Sequence, residues 1–263
     1  MRNWVPHILA GIIVSTIGAM GAGAQARVFS YKDAFLSSYI RGTGQLSAVG
    51  KEPFGNSSGT DTSVDEETRF GYSGEIGFVF NLTQSFHLRL GAEAIQHRPV
   101  KEAKGLSPSG AERFSLDSSV FVFNPNVALE YVYSQRGNLR FYMTAGVGLA
   151  EVTVENRYTM TAAGTSQLGV EDFNEKLAGS TYSSHFGVGL ETLFVDNVTF
   201  SFDVGYRYLP VPSLKYKGPT NPIVSPGGVN EGDEARTHGG GKRQLDLGGL
   251  TLSAAFRFYL NFL

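Results

Sequence analysis

The sequence predicts an all-β fold, a closed antiparallel up-and-down transmembrane barrel of eight strands. Three observations predict it. From residue 34 onward, apolar and polar residues alternate with a period of two, the spacing that sends successive side chains to opposite faces of a strand. The connections between alternating runs are short and long in strict turn. The polar face is crowded with Gly and carries isolated charges of both signs.

Residues 1–26 read as an export signal that lies outside the fold. Arg2 supplies a positive start, Ile8 to Ala22 is apolar and uncharged, and Ala22-Gly23-Ala24 and Ala24-Gln25-Ala26 fit the small-residue cleavage rule after Ala24 or Ala26. An uncleaved anchor would explain the apolar run but not the repeated cleavage pattern. Residues 27–263 form the barrel domain.

The first strand is 34–44, where Leu36 and Ile40 share one face and Tyr39 and Arg41 the other. In 70–82, Phe70, Tyr72, Ile76, Phe78 and Phe80 oppose Gly71, Ser73, Glu75 and Gly77. In 86–94, Leu88 and Leu90 oppose His87, Arg89 and Glu93. Residues 121–133 set Phe123, Val127 and Leu129 against Asn124, Asn126 and Glu130, with Pro125 inside the run predicting a bulge or kink, because Pro cannot donate to a ladder. Residues 139–149, 182–194 and 200–208 repeat the pattern with Arg140, His185, Glu191, Asp203 and Arg207 on the polar face. The last run, 250–262, sets Leu250, Leu252, Phe256, Phe258, Leu260 and Phe262 against Ser253, Arg257 and Tyr259.

Residues 83–85, 134–138 and 195–199 are short turns, whereas 43–69, 95–120, 150–181 and 209–249 are long and polar. This alternation is the habit of outer-membrane barrels, with short periplasmic turns and longer external loops. A further hairpin within the long loops would make ten strands.

A soluble sandwich also alternates, but its polar face meets water. Here that face carries Gly77, Gly91, Gly146, Gly148, Gly187 and Gly189, which suits the inside of a narrow barrel. The inward set balances Glu75, Glu93, Glu130, Glu191 and Asp203 against Arg41, Arg89, Arg140, Arg207 and Arg257. Five acids and five bases neutralise one another, and a buried charge left unpaired is costly. Aromatic residues such as Phe80, Phe86, Tyr131, Phe141, Phe194 and Phe200 bracket the short turns, as girdles do at a membrane boundary.

The signal, the alternation from 34 to 262 and the ending Phe258-Tyr259-Leu260-Asn261-Phe262-Leu263 together resemble the small eight-stranded outer-membrane β-barrels, the group of the OmpA transmembrane domain and OmpX. The ending is similar to the signal by which the outer-membrane insertion machinery recognises its clients, carried here by Phe258, Leu260 and Phe262. The resemblance implies a Gram-negative outer membrane, contact with its lipid and lipopolysaccharide, and passage through periplasmic chaperones.

Composition excludes several chemistries. The 263 residues hold no Cys, so disulfides, thiol catalysis and thiolate metal sites are out. Twenty-two basic against 24 acidic residues leave no footprint for nucleic acid. No spacing marks a cofactor or metal, and an eight-stranded interior is filled by side chains. His87 and His185 share the inward phase and read as hydrogen-bonding groups. Ser183, His185 and Glu191 share a face, the minimum for an acyl-transfer enzyme of the lipid-A-deacylase type, but the His-x-Ser pattern is missing because Gly187 stands two residues after His185.

The reading is therefore a non-enzymatic surface protein that binds or scaffolds through its loops, including contacts with other surface or envelope proteins. A narrow channel for small solutes is the alternative, and a lipid-modifying enzyme the next. Asp61 to Glu67 forms an acidic stretch without calcium-loop spacing. Residues 209–249, with five Pro, Gly239-Gly240-Gly241 and Lys242-Arg243, read as mobile and polar, with the basic pair set to touch lipopolysaccharide phosphates.

Overall fold

The computed structural model describes residues 35–55, 62–224, 228–237 and 239–260. The expected export signal and Phe262 lie outside the described residues. Eight strands build the barrel: β1 Leu36–Gly50, β2 Thr68–Asn81, β3 Phe86–His97, β4 Glu112–Arg136, β5 Leu139–Met160, β6 Phe173–Val195, β7 Val198–Tyr208 and β8 Gly249–Leu260. Each pairs antiparallel with the next in the chain. The ring closes where β1 pairs β8, from Leu36↔Leu260 to Ser47↔Gly249. Closure leaves no free edge within the ring, so every strand can satisfy its backbone groups without water. The remaining short strands, such as Ser63–Val64 on Val100–Leu106, lie outside the ring, so among the described residues the count of membrane-crossing strands is eight and not ten.

Side chains are distributed inside out. Ile76, Phe78, Leu90, Val147, Val188 and Leu252 stand on the outer face, each more than 40% exposed. Charged and polar residues of the opposite phase are buried. An apolar belt of this extent on a water-soluble chain would drive aggregation, whereas in hydrocarbon it is the stable arrangement. The chain is a transmembrane β-barrel. Around the belt's lower rim, near the short turns, Phe86 packs on Tyr131 with centroids 5.0 Å apart, and Phe200 on Phe256 at 5.3 Å. Gly137 and Asn197 take positive φ (57° and 55°) in the two tight turns that join β4 to β5 and β6 to β7, a conformation these residue types tolerate best.

Pro125 does not produce the expected bulge. It stays in frame opposite Ala92, and the β4–β5 ladder runs from Phe123↔Glu151 to Asn126↔Gly148 without a change of register. The ladder with β5 skips the two pairs at Asn124 and Pro125 and resumes in the same register. The bulge in β4 falls instead between Val132 and Ser134, beside the short turn.

A second correction concerns the long connections. Much of 95–120 and 150–181 is strand, because β4, β5 and β6 run on for 25, 22 and 23 residues. Along β5 the polarity of the two faces inverts between Leu149 and Glu151. Met143, Val147 and Leu149 face outward and apolar, then Glu151, Glu155 and Arg157 face outward and charged. The inward face changes from Tyr142 and Thr144 to Ala150, Val152 and Val154. The pleat is unbroken, so the inversion marks the level at which the surroundings change from hydrocarbon to water, where apolar burial reverses direction.

Segment 209–249 is the third correction. Leu209, Val211, Leu214, Tyr216, Leu245 and Leu247 are all buried and join Val120, Val122, Val152, Val154 and Leu177 in one apolar core. In its described residues the segment closes over the long-loop end of the barrel as a folded cap, not a mobile polar loop. A second core, with Phe54, Phe114, Leu116 and Tyr158, fills the space beneath the short helix α1, Ala162–Leu168.

Candidate functional site

Inside the membrane belt eight of the ten inward charges meet as one lattice, whose two levels are joined by Arg89 lying 3.9 Å from Glu75, and Arg207 and Glu93 pair above it. At the short-turn end, Glu191 accepts from the Tyr259 hydroxyl at 2.7 Å and from Thr199 at 2.5 Å. Arg257 bridges Glu191 at 3.3 Å and Glu130 at 2.8 Å. Arg140 lies 3.6 Å from Glu191 and 2.7 Å from His87 Nε2. One level up, Arg89 donates to Glu130 at 3.1 Å and lies 3.1 Å from His185 Nε2. Tyr39 donates to Glu75 at 2.5 Å, and Arg41 reaches Glu75 at 3.4 Å, Ser253 at 2.9 Å and the Asp203 carboxylate. At the top, Arg207 pairs with Glu93 and donates to Gln45 at 2.6 Å, while Ser73 and Asn124 also donate to Glu93.

Arg41, Glu75, Arg89, Glu93, Glu130, Arg140, His185, Glu191, Asp203, Arg207 and Arg257 each have a polar partner in the structure. The charges of this set are buried, and removing one partner of a buried pair costs about 3–5 kcal/mol. The cavity among Arg41, Glu75, Glu93 and Thr144 measures about 20 Å³, room for roughly one water molecule.

Among the described residues, Ser183 and His185 each bond to other partners. Ser183 donates to Asn124 at 2.8 Å, and His185 faces Arg89. Phe258 and Leu260, the described part of the expected insertion signal, stand partly exposed on the outer face.

Above the membrane belt lies a cluster that sequence reasoning missed. Glu175, on the inward face of β6, accepts from Arg243 at 2.5 Å and from Asn156 at 2.8 Å. Arg243 is 1% exposed and spends its other N–H groups on the Arg236 carbonyl at 3.0 and 3.2 Å. Tyr158 donates to the Phe54 carbonyl at 3.0 Å and lies 3.4 Å from Glu175. Burial, reinforced by Glu175, lifts Tyr158 well above the usual tyrosine range and Tyr216 to about 12. Burial opposes the Arg243 charge, but Glu175 outweighs it and holds the guanidinium above its ordinary value.

The expectation that Lys242 and Arg243 face lipopolysaccharide phosphates therefore fails for Arg243, which is an internal clasp holding the cap to β6. Only Lys242 is exposed, and it pairs with Glu234 at 2.8 Å. The acidic stretch also has internal duties in its described part: Asp65 accepts from the Lys104 backbone at 2.7 Å, and Glu67 pairs with Arg69. The apolar positions Val120, Val122, Val152 and Val154 alternate cleanly and could have been read as strand. Arg243 sits among Gly and charges and gives no such signal.

The outer face of the extension carries a crevice of about 530 Å³, with Lys101, Asp117, Glu155, Arg157, Lys176 and Lys217 around it.

No protein-family model matches this sequence, and no curated protein matches it. Among solved structures, the chain is similar to the outer membrane protein OprG from Pseudomonas aeruginosa, at 13% identity over 88% of this chain and 98% of that one, with a TM-score of 0.48. It is similar to Neisserial surface protein A at 12% identity over 86% and 97%, TM-score 0.42. It is also similar to Ail, the attachment invasion locus protein of Yersinia pestis, at 11% identity over 86% and 99%, TM-score 0.42.

Proposed function

We propose that this chain is an integral outer-membrane barrel of a Gram-negative bacterium that presents a rigid extracellular platform for binding, without catalysing a reaction. The observation that carries the reading is the extension of β4, β5 and β6 beyond the membrane belt as one sheet with its own apolar core. Mobile loops would have sufficed for a plain membrane anchor. A cored platform fixes exposed side chains in place, and a fixed arrangement binds with less ordering cost. Lipopolysaccharide, the outer-membrane lipid and other surface proteins are the proposed neighbours, with chaperones and the insertion machinery met during assembly.

The interior lattice supports the non-conducting half of the reading, since its charges are spent on one another. Planar-bilayer recording of the refolded chain tests it, once unboiled and boiled samples migrate differently on a denaturing gel. A folded, electrically silent barrel is expected. Reproducible single-channel steps would overturn the reading in favour of a narrow channel.

A further inference from the structure

The crevice on the outer face of the extension is lined by parts of strands distant in sequence. Asp117 and Ser119 come from β4, Glu155 and Arg157 from β5, and Asn174 and Lys176 from β6. Its two rims are Pro99 to Lys101 at one side and Lys217 to Pro219 at the other. The rims are held. The Lys217 N–H donates to the Lys176 carbonyl at 2.8 Å. Beside Lys101, Glu102 adopts φ 54°, an uncommon conformation for a residue with a Cβ, and its N–H donates to Asp117 at 2.9 Å. A volume of about 530 Å³ lies within the range of roughly 300–1,000 Å³ typical of ligand clefts.

The charges around the crevice are unequally used. Lys176 is paired with Glu155 at 2.6 Å, and Glu175 at the base is committed to Arg243. Asp117 faces Arg157 across the ladder but spends an oxygen on the Glu102 N–H. Among the described residues, Lys101, Arg157 and Lys217 are exposed and have no ion-pair partner within 4.0 Å. Three free cations distributed around one cleft favour a ligand with several separated anionic groups. A bare polyanion is a poor match, because Asp117 and Glu155 stand in the same cleft and would repel it. Those carboxylates, with the amide of Asn174 and the hydroxyl of Ser119, call for hydroxyl donors on the same ligand.

We infer that the crevice binds an acidic oligosaccharide, one whose sugar hydroxyls alternate with carboxylate or phosphate groups. This inference deepens the proposed binding role and rests on it. The ligand could belong to the cell's own lipopolysaccharide core or arrive as a soluble glycan, and the chemistry of recognition is the same in both.

The test uses the full chain in detergent micelles and isothermal titration with three probes: tetragalacturonate, neutral maltotetraose and inorganic tripolyphosphate. Tetragalacturonate is expected to bind, to weaken with added salt, and to lose at least about tenfold in affinity in the triple variant Lys101→Gln/Arg157→Gln/Lys217→Gln. All three substitutions are on exposed side chains, and heat-modifiable migration confirms that the variant folds. No binding of tetragalacturonate at millimolar concentration overturns the inference. So does equal affinity for maltotetraose or tripolyphosphate, or an unchanged affinity in the triple variant. Displacement of tetragalacturonate by purified lipopolysaccharide supports an envelope source, and its absence supports a soluble one. A barrel that is silent in bilayers yet ignores tetragalacturonate refutes the ligand class alone, whereas a conducting barrel refutes the binding platform itself.

Discussion

Replacing Glu175 by Gln keeps the shape of the side chain and removes the charge that holds Arg243. Arg243 then remains 1% exposed, with two N–H groups on the Arg236 carbonyl and no carboxylate against it. Stranding one member of a buried ion pair costs about 3–5 kcal/mol. The barrel lattice shares no residue with this pair, so the loss falls on the cap at 209–249. At about 1.4 kcal/mol per factor of ten, the open population of the cap should rise by roughly two to three and a half orders of magnitude. The absence of Cys from the chain makes thiol labelling a clean readout. Ala235→Cys places one thiol at a position with 0% exposure inside the cap. Its maleimide reaction should accelerate at least about a hundredfold in the Glu175→Gln background, with heat-modifiable migration unchanged. The double change Glu175→Leu/Arg243→Met removes both charges and should return the labelling rate close to its original value. An unaltered rate in Glu175→Gln would refute the assignment of this pair as the clasp.

The same thiol reports on alkaline opening. Tyr216 has a folded pKa of about 12 against about 10 in an unfolded chain, so its contribution is fully present below pH 10 and is lost as pH rises toward 12. Labelling of Ala235→Cys should therefore accelerate between pH 10 and 12, where the thiol is already ionised, and a flat profile would count against Tyr216 as part of the cap. Gly146→Leu and Gly189→Leu should prevent folding, since even a Cβ at these positions would collide with His185 and Ala128 or with Tyr142 and Asp203; a normal heat shift of either variant on a gel would disprove the close packing. Leu252→Arg puts a charge on the lipid-facing belt opposite Gly44 and Val204 and should cost ~2–4 kcal/mol in equilibrium unfolding from lipid, less if that position lies near the interface.

Strand phase was legible because it is a local property. Gly77, Gly91 and Gly146 flag the narrow interior by their lack of a side chain, and Glu75, Arg89 and Arg257 follow from parity alone. Pro125 misled because a two-residue gap in one ladder of a closed sheet is cheaper than a change of register, which would turn every later side chain of β4 to the wrong face.

What the sequence determines by itself is therefore the alternation, the inside and outside of each strand, and a balanced set of inward charges. Only the closed ring decides which charges meet: Arg41 and Asp203 are 162 positions apart, brought together because β1 and β7 flank β8. Only the tertiary structure decides the fate of 209–249, where Leu214 and Leu247 are separated by Pro, Gly and charge and show no local period. The physical reason is the same in both cases. Alternation records which side a residue faces, whereas its partner and its solvent are set by strands that the chain reaches much later, and above Leu149 that solvent is water instead of hydrocarbon.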